Sequence, residues 1–428
     1  MGSNESSFQK RNFQMKIAVI GSGISGISAA HNLNNQFQIS IFEKNSYIGG
    51  HSNTIQAMDS ENKPISIDTG FIVFNKKNYR KFSHFLKQLN VSVIKSDMSF
   101  SHENTTEETI YSTKLRGFFP GLKSFLLFKN WKFLISILIT IKKLKNSDQH
   151  RNINTPIYNT LIEMDCPEKV IDDYFMPMAS AIWSSNIDHA RNIPTSTFIK
   201  FFDNHGLLNI FFRPQWLTVN QGSKNYINNF IDNFEGEINL NTEIASVVSL
   251  SNEIQIKFKN GKIKKFDYAV IATHSYQATE LVKNISSDKK LILSEYPYTF
   301  NKVILHTDQS FMPKNQKLWS SWNSVISKSN NGQIQVTYFM NKLQKLHSQT
   351  NFFVTLNPHI YPNKNLTIYE TDYAHPVLNH SESENLENFK RLNQNDRILY
   401  CGAYLQNGFH EDGYVSGQKV AEILNSFI

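Results

Sequence analysis

Residues 16–20, Lys-Ile-Ala-Val-Ile, alternate and then run apolar, as a strand buried in a parallel sheet does. Glycines at 21–26 lead into a helical stretch, and 38–42 reads as a second strand. Residues 65–71 form a short strand ending at a turn glycine, Gly70. Over 79–89 the side chains of Tyr79, Phe82, Phe85, Leu86 and Leu89 share one face at helical spacing. Short strands are expected at 91–94 and 98–100, helices over 117–145, and further helices over 155–183 broken at Pro156, Pro167 and Pro177. Residues 198–212, with Phe201, Phe202, Leu207, Leu208, Phe211 and Phe212, fit either a core or the wall of an apolar substrate cavity. A helix at 226–234 precedes strands at 238–240, 244–250 and 254–259, the last turning at Asn260-Gly261 into 262–266. Residues 268–272 read as a buried strand. Segments 300–306, 318–322 and 334–340 suggest an antiparallel sheet, and a last strand at 398–401 precedes a closing helix over 413–427.

Between the first strand and first helix stands Gly21-Ser22-Gly23-Ile24-Ser25-Gly26, a G-x-G-x-x-G. In that setting Gly21 permits a tight turn, Gly23 lets backbone approach a pyrophosphate, and Gly26 lets helix pack closely on strand. The helix N-terminus then offers free N–H groups to the phosphates. Glu43 ends the second strand about 20 residues on, where a carboxylate accepts the hydroxyls of an adenosine ribose and disfavours a 2′-phosphate. The alternative is a strand–turn–helix that binds nothing. The fingerprint itself does not separate NAD from FAD.

At 428 residues the chain can bury a large core, and two or three domains are expected. Cys166 and Cys401 are its two cysteines, so a disulfide framework is excluded and a reducing compartment expected. No His/Cys cluster has zinc spacing. The first 14 residues are polar and lack the apolar core of a signal peptide, although Gly2 and Ser6 match a myristoylation pattern. The net charge of +8 has a local origin: Lys114, Arg116, Lys123, Lys129, Lys132, Lys142, Lys143 and Lys145 fall within 111–145, which contains no acid. Nucleic acid is not the expected partner, because this basic stretch is also rich in Phe, Leu, Ile and Trp131. Lysines interleaved with apolar side chains suit peripheral contact with an anionic membrane. The other reading is a core helix with a solvated basic face. The charge-free run 133–141 is too short to span a bilayer.

Gly49-Gly50 after Glu43 resembles the second glycine turn of FAD enzymes. Taken with Gly21–Gly26, His51, Asp68-Thr69-Gly70-Phe71, 267–273, 303–308, 336–341, 401–404 and 408–413, the chain resembles the flavin amine-oxidase-like superfamily of FAD oxidoreductases along nearly its whole length. Within it, the resemblance is to a branch related to flavoproteins that modify fatty-acyl chains. It implies an α/β fold in which an FAD-binding Rossmann-like domain (15–75, 213–280 and 395–428) is interleaved with an α+β substrate domain (76–212 and 281–394). It also implies FAD in an extended pose. The matching cofactor positions are Gly21, Gly23, Ile24, Ser25, Gly26, Glu43, Lys44, Gly49, Gly50, His51, Thr69, Gly70, Phe71, Ala272 and Thr273. At the C-terminus they are Gly402, Ala403, Gly413, Tyr414 and Val415, which would face the flavin edge where reduction builds negative charge.

The chain departs from the amine oxidases proper at His51, where they carry Arg, and in lacking an acid after the C-terminal glycine. Cys401 lies outside the position for covalent attachment, so FAD is expected to be non-covalent. What the resemblance implies is hydride abstraction from a C–H bond of an apolar, fatty-acyl substrate. The cysteine count places the expected enzyme in the cytoplasm, and the membrane reading of 111–145 would put it at the inner membrane face. His410 is the candidate acid/base, oriented by Glu411 or Asp412; the other reading is that it caps a turn or holds the cofactor. The alternatives are an amine or amino-acid oxidase and a non-catalytic FAD-binding partner protein.

Overall fold

The structure is a computed structural model that describes residues 15–113, 117, 125–146, 155–183, 186–209, 214–326, 334–377 and 380–427. The expectations for the N-terminal 1–14, for Lys114, Arg116 and Lys123, and for Phe211 and Phe212 lie outside them.

Five parallel strands form one sheet in the order Glu237–Asn239, Gln38–Phe42, Lys16–Ile20, Tyr268–Ile271, Ile398–Tyr400. Their side chains run almost continuously apolar because both faces are covered, and Ile17, Val19, Ile41, Val270 and Leu399 are fully buried. The first helix, Ile24–Leu33, lies along the closing helix, His410–Asn425. Two glycines set that approach. A β-carbon at Gly417 would stand 2.1 Å from the Ser25 carbonyl oxygen, and one at Gly413 would stand 2.6 Å from Ile24 Cγ2. The expected hairpin turns at Gly261, with φ +83°, and joins a three-stranded antiparallel sheet beside the first.

A second, seven-stranded sheet runs Thr367–Pro376, Tyr298–His306, Phe353–Leu356, Gln335–Phe339, Trp322–Ile326, Phe100–Asn104, Thr109–Ser112. It is antiparallel except where Trp322–Ile326 meets Phe100–Asn104. Helices between 128 and 204 cover it and share its core, built on Phe175, Phe198, Leu305 and Phe352. A small sheet of Val73–Asn75, Trp216–Val219 and Val93–Lys95 lies between the two bodies in sequence.

The structure corrects several expectations. The strand expected at 318–322 is a short helical turn, Gln316–Leu318, followed by a strand that starts at Trp322. The intervening turn is fixed by the Ser320 N–H donating to Asn323 Oδ1 (2.8 Å). Pro177 does not break its helix. A π-turn at Ile171–Phe175 runs straight into Met176–Trp183, and the Asp173 carbonyl, which Pro177 has no N–H to bond, accepts the Tyr111 hydroxyl instead (2.9 Å). The closing helix begins at His410, not Gly413.

Candidate functional site

The first strand ends at Gly21, whose φ of +98° turns the chain, and whose N–H donates to the Phe42 carbonyl (2.9 Å). A β-carbon there would meet the Ala272 carbonyl oxygen at 2.8 Å, and one at Gly26 would meet the Gly21 carbonyl oxygen at 2.0 Å. At Gly23 it would meet nothing within 4 Å. Two of the three glycines are thus demanded by protein, and the third opens a space the protein does not fill. The first helix starts beside that space with no side-chain cap and no acid in its first turn. The N–H groups of Ile24, Ser25 and Gly26 therefore have no partner within the helix and present a partial positive charge. Such an opening fits a pyrophosphate.

Glu43 is buried at the lip of this cradle. Its Oε2 accepts from the Ser22 N–H (3.0 Å) and hydroxyl (2.7 Å), and Oε1 accepts from the Asn45 N–H (3.0 Å). The acid therefore braces the glycine loop, while Lys44 beside it is exposed. Gly49 and Gly50, at φ +126° and +59°, lay the second turn on the first: the Gly49 N–H donates to the Ser22 carbonyl (3.0 Å), and a β-carbon on Gly50 would touch Gly23 Cα at 3.1 Å. Ala272 closes the cradle from the fourth strand, its N–H on the Ile20 carbonyl (2.8 Å), and Thr273 follows.

From here the chain leads into a cluster of aromatic rings. The Phe71 N–H donates to the His51 carbonyl (2.8 Å), and Gly70 passes so close that a β-carbon would lie 2.2 Å from that oxygen. Thr69 Oγ1 meets the Tyr373 hydroxyl at 2.8 Å. The His51 ring lies 4.7 Å from Tyr373, 5.2 Å from His375 and 6.0 Å from His274. Burial pushes His51 down to about 4, and burial plus the neighbouring rings push His274 and His375 to about 3. His274 and His375 were not expected as site residues. They come from different sheets, and no linear spacing joins them to His51.

His410 stacks on Phe71 with ring centroids 3.7 Å apart, and its Nε2 lies 3.0 Å from the Tyr226 hydroxyl, which in turn bonds the Ser52 hydroxyl. Burial holds it well below the usual histidine range. The expected orienting acids do not orient it. Glu411 accepts from the N–H groups of Lys81 and Phe82 (2.9 Å each) and caps the helix Arg80–Gln88, while Asp412 accepts from the Phe409 N–H (2.9 Å). Burial raises Asp412 to about 7.

Because the closing helix starts at His410, its unpaired first-turn N–H groups belong to His410, Glu411 and Asp412, one turn before the expected Gly413. The Gly402 N–H is already engaged by Ser416 Oγ (3.0 Å), and Ala403 opens a short helical turn against Gly413. Tyr414 packs its ring 5.0 Å from Phe85 and takes the Ser28 hydroxyl on its carbonyl (2.6 Å), a core position, with Val415 half-buried beyond it.

A cavity of about 150 Å³ opens beside the start of this helix, lined by Tyr79, Trp183, Phe201, His205, Phe409 and Asp412 among others. Phe201 stacks between His205 (3.8 Å) and Phe409 (4.8 Å). The His205 Nδ1 lies 2.8 Å from the Phe201 carbonyl, and its Nε2 and the Trp183 Nε1 have no hydrogen-bond partner. Of the expected aromatic wall, Phe201 lines this cavity, whereas Phe198 and Phe202 are core. Among the described residues no cluster of ligating side chains suits a metal ion.

Residues 24–341 match the family model of flavin containing amine oxidoreductases. Among solved structures, a provisionally assigned protoporphyrinogen oxidase from Exiguobacterium sp. 255-15 shares the fold at TM-score 0.68 and 13% identity, covering 97% of this chain and 99% of that one. A CLA-producing fatty acid isomerase from P. acnes aligns at TM-score 0.66 and 13% identity over 97% and 99% of the two chains. Cyclohexylamine oxidase from Brevibacterium oxydans IH-35A aligns at 0.67 and 15% over 96% and 99%. No curated protein matches in sequence. With a family match across most of its length, the chain belongs to the flavin containing amine oxidoreductases and is an FAD-dependent oxidoreductase.

Proposed function

We propose that the protein oxidises a C–H bond of an apolar, fatty-acyl substrate, desaturating the chain or moving its double bond. Non-covalent FAD, when bound, supplies the two-electron acceptor for the departing hydride. Gly21, Gly23, Ile24, Ser25 and Gly26 would hold its pyrophosphate and Glu43 its ribose, with Gly49, Gly50, His51, Thr69, Gly70 and Phe71 along its length. The division into an FAD-binding and an interleaved substrate domain, and work in the cytoplasm at the inner membrane face, belong to the same reading.

The observation that carries it is the ring cluster about the second glycine turn: His51 lies 4.7 Å from Tyr373 and 5.2 Å from His375, and His410 stacks on Phe71 at 3.7 Å. Burial lowers His51, His274, His375 and His410 from the ordinary histidine range, which favours their neutral forms. An alkyl chain needs an apolar, water-excluding surround and no counter-charge. His410, neutral through burial, is the side chain placed to take up the proton that desaturation releases, and its bond to Tyr226 fixes the ring. Anaerobic titration of the holo-protein with phospholipids, free fatty acids and amines tests this. Bleaching of the flavin absorption by an acyl substrate is expected; bleaching by amines alone would replace this reading.

Amine oxidation is the second reading. Stacked Phe201 and Phe409 with Asp412 in one cavity wall offer a cation π faces and a carboxylate.

A further inference from the structure

The helix Phe128–Asn146 has two opposite faces. One packs inward: Ile137, Thr140, Ile141 and Leu144 are buried, against the helical segments Glu168–Val170 and Thr195–Asn204. On the other, Phe128 is 81% exposed and Ile135 and Ile139 are 51% exposed each. These three recur at helical spacing, so they form one stripe along the outer face. Leu126, just before the helix, is 73% exposed. Lys132 and Lys142 stand on either flank of the stripe, both exposed, and neither has an ion pair among the described residues. No acid occurs anywhere in 125–146.

We propose that this face seats the protein on the surface of an anionic lipid bilayer, with Leu126, Phe128, Ile135 and Ile139 in the acyl boundary and Lys132 and Lys142 on lipid phosphates. Charge selects that occupant. A protein partner for so apolar a stripe would bring an apolar surface of its own, and nothing in such a surface calls for cations on both flanks. A bilayer with anionic headgroups uses both components at the depths at which this helix presents them. No helix among the described residues is long and apolar enough to cross a membrane, so the contact is peripheral. The proposal deepens the fatty-acyl reading, on which it rests for the source of the substrate. The segment Thr195–Asn204 touches the buried face of this helix on one side and lines the aromatic cavity with Phe201 on the other, so a single helix layer separates the seat from the cavity.

Full-length holo-protein would be sedimented with phosphatidylcholine vesicles with and without phosphatidylglycerol. Binding is expected with the anionic vesicles, weakened by salt. Lys132→Gln with Lys142→Gln should lower it roughly 30-fold, and Phe128→Ser with Ile135→Ser and Ile139→Ser should abolish it, both variants keeping the wild-type flavin spectrum and melting midpoint. Trp131 fluorescence should be quenched by acyl-brominated lipid. Absence of binding by the wild type, or undiminished binding by the triple variant, would overturn the proposal. So would concentration-dependent dimerisation of the wild type that the triple variant loses, since a second copy would then cover the stripe. Docking without flavin bleaching by any acyl compound would count against the substrate class alone. Bleaching by detergent-dispersed fatty acid without docking would count against the seat alone.

Discussion

Gly23 and Gly26 sit three residues apart in one loop, and the protein needs them for different reasons. A β-carbon at Gly26 would collide with the Gly21 carbonyl at 2.0 Å, a contact between backbone atoms that no rotamer relieves. Gly26→Ala is therefore expected to destabilise the apo-protein by about 1–3 kcal/mol. Gly23→Ala meets open space and should leave the apo melting midpoint unchanged while weakening FAD binding about tenfold or more, because its methyl group stands where phosphate would approach. Thermal melts of apo-protein and fluorescence titration with FAD separate the two, and equal loss of apo stability in both variants would show that Gly23 is structural. The turn at Gly21 and the close packing at Gly26 were legible in the sequence because this stretch is local: strand, turn and helix follow one another within a dozen or so residues. The mate of His410 was not. Acidic neighbours at 411 and 412 suggested a carboxylate, but a helix turns successive side chains in different directions, and both acids cap backbone N–H groups instead.

The parallel strands Lys16–Ile20, Gln38–Phe42 and Tyr268–Ile271 were expected to within a residue, whereas strands whose burial and polarity disagree were not. The strand Phe100–Asn104 is buried at every position yet reads Phe-Ser-His-Glu-Asn, which no apolar pattern reveals. Its polar groups are satisfied inside the protein: Asn104 Nδ2 donates to Asp173 Oδ1 (2.9 Å) and the His102 Nε2 lies 3.4 Å from the same oxygen. Asp173 belongs to the π-turn that carries Pro177 without a break. The turn is possible because Tyr111, from the next strand, supplies the donor that Pro177 withholds from the Asp173 carbonyl. Tyr111→Phe keeps the ring and removes that donor, leaving a buried carbonyl unpaired. A loss of about 1–3 kcal/mol is expected in denaturant unfolding, with unchanged FAD affinity. A variant as stable as wild type would mean the carbonyl finds another partner, and the π-turn would need a different account.

At the scale of the molecule, what the sequence could not display is convergence between distant segments, and Asp68 is where most of it happens. This fully buried carboxylate accepts from Thr54 Oγ1 (2.5 Å), from the Ser223 N–H (2.9 Å) and hydroxyl (2.8 Å), and from Gln344 Nε2 (2.8 Å), while its own N–H donates to Gln344 Oε1 (2.9 Å). Ser223 precedes a helix of the parallel-sheet core, and Gln344 ends a helical turn leading from the seven-stranded sheet. The two hydrophobic clusters are distinct, and this polar junction bridges their elements together with the Thr69–Tyr373, Asn53–Tyr373 and Ser96–Leu343 hydrogen bonds. Burial raises the carboxyl to about 6, so the folded state keeps a proton that the unfolded chain has released between about pH 4 and 6. The group's contribution therefore falls as pH rises through that window. Four donors still favour it over any truncation. Asp68→Ala strands them in a dry site and removes the bridge; calorimetry of the apo-protein is expected to show one transition for the wild type and two for this variant, the parallel-sheet core and the seven-stranded-sheet core melting independently. Asp68→Asn keeps an acceptor and should retain one transition at lower temperature. If Asp68→Ala melts in one transition, the bodies are coupled through apolar contacts, and the small sheet joining Val73–Asn75 to Trp216–Val219 becomes the hinge to cut next.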